Sequence, residues 1–373
     1  MKCLVQPGDG IQPLVKAINR AKKSVEIVIF RMNRKEIEHA MEQAVTRGVH
    51  VHALIAFTNR GGEANLRALE LRLLGAGVTV SRTDNDLVRY HGKLMVIDRR
   101  QLFLLAFNFT YLDIEHSRSF GIITDNRRHV LEAVKLFEAD TERHPYSPAS
   151  PTFLVSPLNA REQLAAFIKA AKKELLIYDP EVSDPAIIRL LEARSRAGVA
   201  VNILGTLKGK SDILTARPMP QIRLHTRSII RDGQWAFVGS QSLRALELDS
   251  RREVGIIFRD TRAVAKLHTT FTEDWNSKAM IGEATVQSAQ PSDAPAKVAK
   301  KVAKAVANEM EPISPVVEMT VREMSSDGDM PIALNTAEFE TTVKNAVKEA
   351  VREVVHNLVE EAIEGPAAAR GHG

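Results

Sequence analysis

Two short segments of this sequence hold residues that could carry out phosphate chemistry together. Tyr90-His91-Gly92-Lys93-Leu94-Met95-Val96-Ile97-Asp98 and Leu224-His225-Thr226-Arg227-Ser228-Ile229-Ile230-Arg231-Asp232 both read His-x-(Lys/Arg)-x4-Asp. Each falls in a stretch of strand-like alternation, and on a strand residues i and i+2 share a face. His91 and Lys93 are therefore expected to point the same way, as are His225 and Arg227. A neutral imidazole beside a fixed cation suits attack on a phosphodiester. The ring nitrogen is the nucleophile, and the cation stabilises charge on the nonbridging oxygens. Two such half-sites would supply a nucleophilic His, a second His as general acid, and two cations. Asp98 and Asp232 read as anchors of strand or turn geometry rather than as substrate contacts. One match alone would mean little, because a lone His on a strand is more often structural. Two matches at corresponding places in a repeat are what carry the chemical reading.

That repeat is independently visible. Val5-Gln6-Pro7 returns as Val155-Ser156-Pro157, Ala21-Lys22-Lys23 as Ala171-Lys172-Lys173, and Arg47-Gly48-Val49 as Ala197-Gly198-Val199, each 150 positions later. Each copy predicts a helix (Ile11 to Ala21; Leu164 to Ala171) and then a strand (Val25 to Phe30; Leu175 to Tyr178). A second helix follows (Lys35 to Arg47; Pro185 to Ala197), ending at Gly, and then another strand (Val49 to Ala56; Val199 to Leu204). Strands alternating with helices predict an α/β sheet covered by helices. The period is too long for a solenoid, so this is one domain fused to a second copy of itself. Between Gly198 and its motif the second copy is the shorter of the two.

Beyond the duplicated body the composition changes. Residues 281–335 are rich in Ala, Lys, Pro, Ser and Asp and read as a disordered linker. Residues 336–364 regain helical periodicity, with Phe339, Val343, Val347, Val351, Val354 and Leu358 on one face of an amphipathic helix. Such a helix needs a partner for its apolar stripe, and self-association or docking on the body is favoured over a membrane. Its acidic end, Glu360, Glu361 and Glu364, argues against an anionic bilayer.

Composition narrows the remaining classes. The single cysteine, Cys3, excludes a disulfide framework, and no metal or other cofactor is called for. Pro7 and Gly8 interrupt any signal-like apolar run, and no stretch approaches the length of a membrane span. The expected location is cytoplasmic, with any membrane contact peripheral. A net charge of +5 favours anionic partners, which include nucleic acid, lipid headgroups and phosphate esters.

The paired motifs, over residues 5–275, resemble those of the phospholipase D superfamily. The resemblance implies two tandem α/β sandwich domains (1–150 and 151–280) related by a pseudo-twofold axis, one shared active site, a phosphohistidine intermediate and no metal. In that family each motif is followed by a Gly-Ser-x-Asn-like turn. Here Leu105-Ala106-Phe107-Asn108 keeps only Asn108, while Gly239-Ser240-Gln241-Ser242 keeps Gly239 and Ser240. Asn108, Ser240 and Ser242 are accordingly expected to bind the substrate phosphate. The resemblance also implies an acid about 28 residues after the His, orienting the His of the opposite half. Glu253 fills that place in the second copy and Ser119 stands there in the first. By this pattern Glu253 would hold His91 as nucleophile, and His225, lacking a carboxylate, would be the general acid. Arg227 departs from the Lys of the family pattern but keeps its charge.

Three functions stay open at this level. The leading one is a phospholipid phosphodiesterase or phosphatidyl transferase resembling cardiolipin synthase, working at a peripheral membrane surface. The second is a nuclease of the same superfamily cleaving DNA or RNA. The third is a binding scaffold with a decayed site.

Overall fold

The computed structural model describes residues 1–58, 63–209, 211–219 and 222–277. The expected linker 281–335 and helix 336–364 lie outside the described residues. Within them, the duplicated α/β organisation expected from the sequence is present. The first copy builds a mixed sheet in the order Lys2–Gln6, Ser117–Thr124, Gln101–Leu105, Leu94–Ile97, Ser24–Ile29, His50–Ile55, Thr79–Arg82. The second builds a matching sheet in the order Thr215–Arg217, Ala200–Leu207, Glu174–Val182, Arg227–Arg231, Trp235–Gly239, Val254–Phe258, Phe153–Val155. In each sheet three strands run parallel through crossovers and the motif strand joins them antiparallel.

The predicted helices form close to their expected bounds, at Gln12–Arg20, Lys35–Thr46, Ala160–Lys169 and Pro185–Arg196. Lys35–Thr46 and Pro185–Arg196 stop where Gly48 and Gly198 adopt φ of 81° and 87°, a left-handed conformation that side chains resist. The shorter stretch of the second copy has a simple cause. Helix Glu63–Gly75 connects two strands of the first sheet, and the corresponding connection from Ala200–Leu207 to Thr215–Arg217 has no helix among its described residues.

The strands are apolar on both faces because both are covered. Met95, Ile97, Phe103 and Leu105 face a core roofed by Leu14, Ile18, Met41 and Leu69. Leu94, Val96, Leu102 and Leu104 face the other way, into a core shared with Tyr178, Ile230, Val238 and Ile256 of the second copy. Helices Arg127–Glu142 and Thr261–Asn276 contribute Val130, Ala133, Leu267 and Phe271 to the same shared core. The two copies are thus joined by buried apolar surface, the main favourable contribution to such an association. Cys3 lies within this core, and burial pushes its thiol up to about 12, so it is inert at neutral pH. Among the described residues no helix is long and apolar enough to cross a membrane.

Candidate active site

The two motif histidines sit where the copies exchange strands. Arg89–Tyr90, just before His91, pairs in parallel with Arg251–Arg252 of the second copy. Arg223–Leu224, just before His225, pairs in parallel with Ser117 and Arg118 of the first. The His91 amide donates to the Arg252 carbonyl (2.8 Å), and the His225 and Thr226 amides donate to the Arg118 carbonyl (3.1 Å each). His91-Gly92-Lys93 therefore links Arg89–Tyr90, which pairs with the opposite copy, to Leu94–Ile97 of its own sheet, rather than being part of a regular strand as the alternation suggests. His91 and Lys93 still meet, with Lys93 Nζ 2.7 Å from His91 Nε2.

The geometry around His91 defines its tautomer. Nδ1 lies 2.9 and 3.1 Å from the two oxygens of Glu253, which is fully buried. A carboxylate at that distance takes the proton on Nδ1 as donor, leaving the Nε2 lone pair to accept from the Lys93 ammonium. Burial, and then Lys93, Arg227 and Arg89, hold the His91 pKa well below its ordinary value, so the ring is neutral. Burial also brings Lys93 down to about 7, against the pull of Glu253. Phe30 packs edge-on against the His91 ring, with centroids 4.6 Å apart, restricting its rotation.

His225 is held differently. A carboxylate does reach it: Asp113 Oδ2 of the first copy is 3.3 Å from His225 Nε2, though out of hydrogen-bonding alignment. The expectation that His225 lacks a carboxylate partner is corrected here. The acid is not at position 119, where the buried Ser119 stands, but at the start of the short helix Tyr111–Glu115. Asp113 accepts from the Asn108 amide and side chain (2.8 Å each) and from Arg223 Nη1 (2.6 Å). Burial opposes its ionisation, but His225, Arg223 and the Asn108 amide outweigh this and keep its carboxyl below the ordinary range. Burial likewise depresses His225 strongly, with Asp113 acting in the opposite sense.

The second copy repeats the Asp113 arrangement with Glu247. The Ser242 amide donates to Glu247 Oε2 at 2.6 Å, and Arg251 Nη1 lies 3.3 Å from Glu247 Oε1. Sequence reasoning missed both acids. Their signal is the shared five-residue offset, Asn108 to Asp113 and Ser242 to Glu247, visible when the copies are aligned on their histidines.

The other expected site residues divide into two groups. Arg227 comes to the centre, where it adds to the charge that depresses His91. It is tied down by Nε to Ser242 Oγ (3.0 Å) and Nη1 to the His225 carbonyl (2.8 Å). Asn108, Ser240 and Ser242, expected as phosphate ligands, are each held by internal hydrogen bonds, although Asn108 Oδ1 has no partner among the described residues. Asn108 Nδ2 bonds Asp113, Ser240 Oγ accepts from the Val254 amide (3.0 Å), and Ser242 Oγ accepts from Arg227. They brace the site. Asp98 and Asp232 lie away from the histidines. Each caps three consecutive amides, Lys22, Lys23 and Ser24 for one and Lys172, Lys173 and Glu174 for the other.

Two α/β copies that exchange strands to bring two histidines, a lysine and an arginine into one buried centre define a duplicated phosphoryl-transfer fold. The chain belongs to the phospholipase D superfamily: the family described as "Cardiolipin synthase, PLD-like domain" matches residues 14–141 and 164–275. Members of this superfamily are phosphodiesterases or phosphotransferases. Mitochondrial cardiolipin hydrolase of Canis lupus familiaris is 26% identical over 159 residues, covering 41% of this chain and 58% of that protein. The polyphosphate kinase structure from Porphyromonas gingivalis superposes with a TM-score of 0.63 at 18% identity, over 77% of this chain and 52% of that one. Phosphatidylserine synthase of Haemophilus influenzae gives 0.57 at 9% identity, over 73% and 85%. At these identities the two structures show a common fold. The chain spans little more than half the length of the hydrolase and of the kinase.

Proposed function

We propose that this protein transfers a phosphatidyl group from a phospholipid phosphodiester to water or an alcohol through a phosphohistidine at His91. The observation that carries this reading is the His91 ring held by Glu253 on Nδ1 and faced by Lys93 on Nε2. Substrate binding would let a nonbridging phosphate oxygen replace His91 as the acceptor of the Lys93 ammonium, freeing the Nε2 lone pair. Nε2 then attacks phosphorus, the bond to the leaving oxygen breaks, and His225 gives that oxygen its proton. Lys93 and Arg227 offset the charge gathering on the nonbridging oxygens. In the second half, His225 takes a proton from water or alcohol, whose oxygen attacks phosphorus as the P–N bond breaks and returns the electron pair to His91.

His225 must be protonated to begin. The negative phosphodiester and Asp113, 3.3 Å away, both favour its charged form. Phospholipid is the favoured substrate because the matching family is described by cardiolipin synthase, and the related proteins include a cardiolipin hydrolase and a phosphatidylserine synthase. The test is p-nitrophenol release from bis-p-nitrophenyl phosphate in EDTA by wild type and His91→Ala, alongside cardiolipin vesicles and plasmid DNA. Turnover lost in the variant, with vesicles consumed and plasmid intact, is expected. Plasmid cleavage without lipid turnover would replace the substrate, and no phosphoenzyme with any probe would overturn the chemistry.

A further inference from the structure

Arg118 and Arg252 stand 134 positions apart, the spacing between His91 and His225, and Asp140 and Asp274 repeat it. The structure joins these four residues crosswise. Arg118 of the first copy donates Nε and Nη2 to the two oxygens of Asp274 in the last helix of the second copy (2.7 and 2.9 Å). Arg252 of the second copy places Nη2 3.1 Å from Asp140 Oδ1 in helix Arg127–Glu142 of the first. Both pairs are largely buried, with side-chain exposures of 18% and 9%, and of 11% and 8%. Neither belongs to the His-x-(Lys/Arg)-x4-Asp motif or touches the reacting centre.

What lies on the other side of each arginine gives the pairs their meaning. The Arg252 carbonyl accepts the His91 amide, and the next side chain, Glu253, holds the His91 ring. Residues 252 and 253 therefore grip His91 by both backbone and imidazole, and the Arg252 side chain ties that dipeptide back to the copy that carries His91. The first-copy pair has the same topology but a different ending. The Arg118 carbonyl accepts the His225 and Thr226 amides, but the next residue is Ser119, so only backbone is gripped. Arg118 makes two hydrogen bonds to Asp274 where Arg252 makes one contact with Asp140, and Tyr178 Oη of the second copy donates to Asp274 at 2.6 Å and fixes that carboxylate, so this second pair is the more fully bonded clasp between the copies.

We propose that the Arg252–Asp140 pair is a positioning device for His91: it fixes the Glu253 carboxylate against Nδ1 and so selects the tautomer that leaves Nε2 available. The Arg118–Asp274 pair is its structural counterpart, holding the copies together without orienting a ring. This rests on reading His91 as the reacting group. Proximity alone explains why an indirect contact matters, since a displacement of about 1 Å can cost on the order of a hundredfold in rate.

The test uses the full chain with 15N-labelled histidine, the His91 resonances being assigned by their loss in His91→Asn. The expected result for Arg252→Gln is a His91 signal shifted from one tautomer to a mixture. On bis-p-nitrophenyl phosphate, kcat falls by about a hundredfold while KM stays within about twofold. Arg252→Lys, which keeps a cation for Asp140, restores the single tautomer and most of kcat. Arg118→Gln lowers the melting temperature more than Arg252→Gln does and leaves the His91 signal unchanged. Asp140→Asn supplies a second way to break the positioning pair should Arg252→Gln fold poorly. An unaltered His91 tautomer in both Arg252→Gln and Asp140→Asn overturns the proposal, as does an equal disturbance by Arg118→Gln. Absence of turnover by wild type counts against the phosphohistidine reading, while the resonance readout still decides the positioning one.

Discussion

His91 Nδ1 and Glu253 Oε2 are 2.9 Å apart although 162 residues separate them in the chain. The contact makes one copy's nucleophile dependent on the other copy's acid. Glu253→Gln presents an amide that can offer N–H as readily as C=O, removing the preference for the Nδ1–H tautomer. With a buried orienting carboxylate replaced by its amide, kcat falls by about 10³–10⁴ at nearly unchanged KM. Steady-state kinetics together with circular dichroism, which should stay as in wild type, check this.

The two histidines should separate in a trapping experiment. His225→Asn leaves the nucleophile but removes the group that activates the second acceptor, so an acid-labile phosphoenzyme accumulates. His91→Asn leaves nothing to carry the phosphoryl group. Rapid quench with labelled phosphodiester distinguishes them, and a phosphoenzyme in His91→Asn but not in His225→Asn would reverse the assignment.

Lys93 links pH to activity and stability in opposite senses. Burial lowers its pKa from 10.5 to about 7, with Glu253 resisting. As pH rises through 7 the folded protein loses the ammonium that stabilises transition-state charge, so kcat/KM falls. Between pH 7 and 10.5 the unfolded chain binds the proton that the folded chain has released, so Lys93's contribution to stability grows with pH. Lys93→Met removes the buried cation. It is expected to abolish turnover and to remove Lys93's share of the rise in stability between pH 7 and 10.5. Activity profiles and melting curves over the same pH range test both signs.

Arg227→Lys would return the second motif to the family pattern, yet it should not improve the enzyme. Arg227 uses Nε and Nη1 on Ser242 and the His225 carbonyl, two directions that a single ammonium on a flexible stem cannot reproduce. A fall in kcat of about tenfold to a hundredfold is expected, measured on bis-p-nitrophenyl phosphate.

Asp98 and Asp232 adopt φ of 53° and 55°, a conformation aspartate tolerates better than most residues, and each carboxylate caps three amides. For Asp98, burial disfavours the charge, but the amides of Lys23, Ser24 and Lys22 outweigh it and lower the pKa. Its contribution to stability is therefore present above the ordinary carboxylate pKa and is lost as pH falls through the lower folded value. Asp98→Ala should lower the melting temperature by a few degrees at pH 7 with kcat unchanged. The gap from wild type should close in acid.

Much of this protein was determined by its sequence alone. The repeat, the helices ending at Gly48 and Gly198, the paired motifs and the pairing of Glu253 with His91 can all be located without coordinates. Short-range periodicity and a matched spacing between copies suffice for the first three, because they depend on residues a few positions apart or on homology between the two halves, whereas the pairing of Glu253 with His91 is what the resemblance to the phospholipase D superfamily implies. Other features were decided only in three dimensions. Asp113 approaches His225, and Arg252 and Arg118 cross to Asp140 and Asp274. Each depends on how the two sheets exchange short strands over a shared apolar core. That packing brings together residues about 110 to 160 positions apart, where no local pattern of hydrophobicity or turn chemistry carries information about the partner.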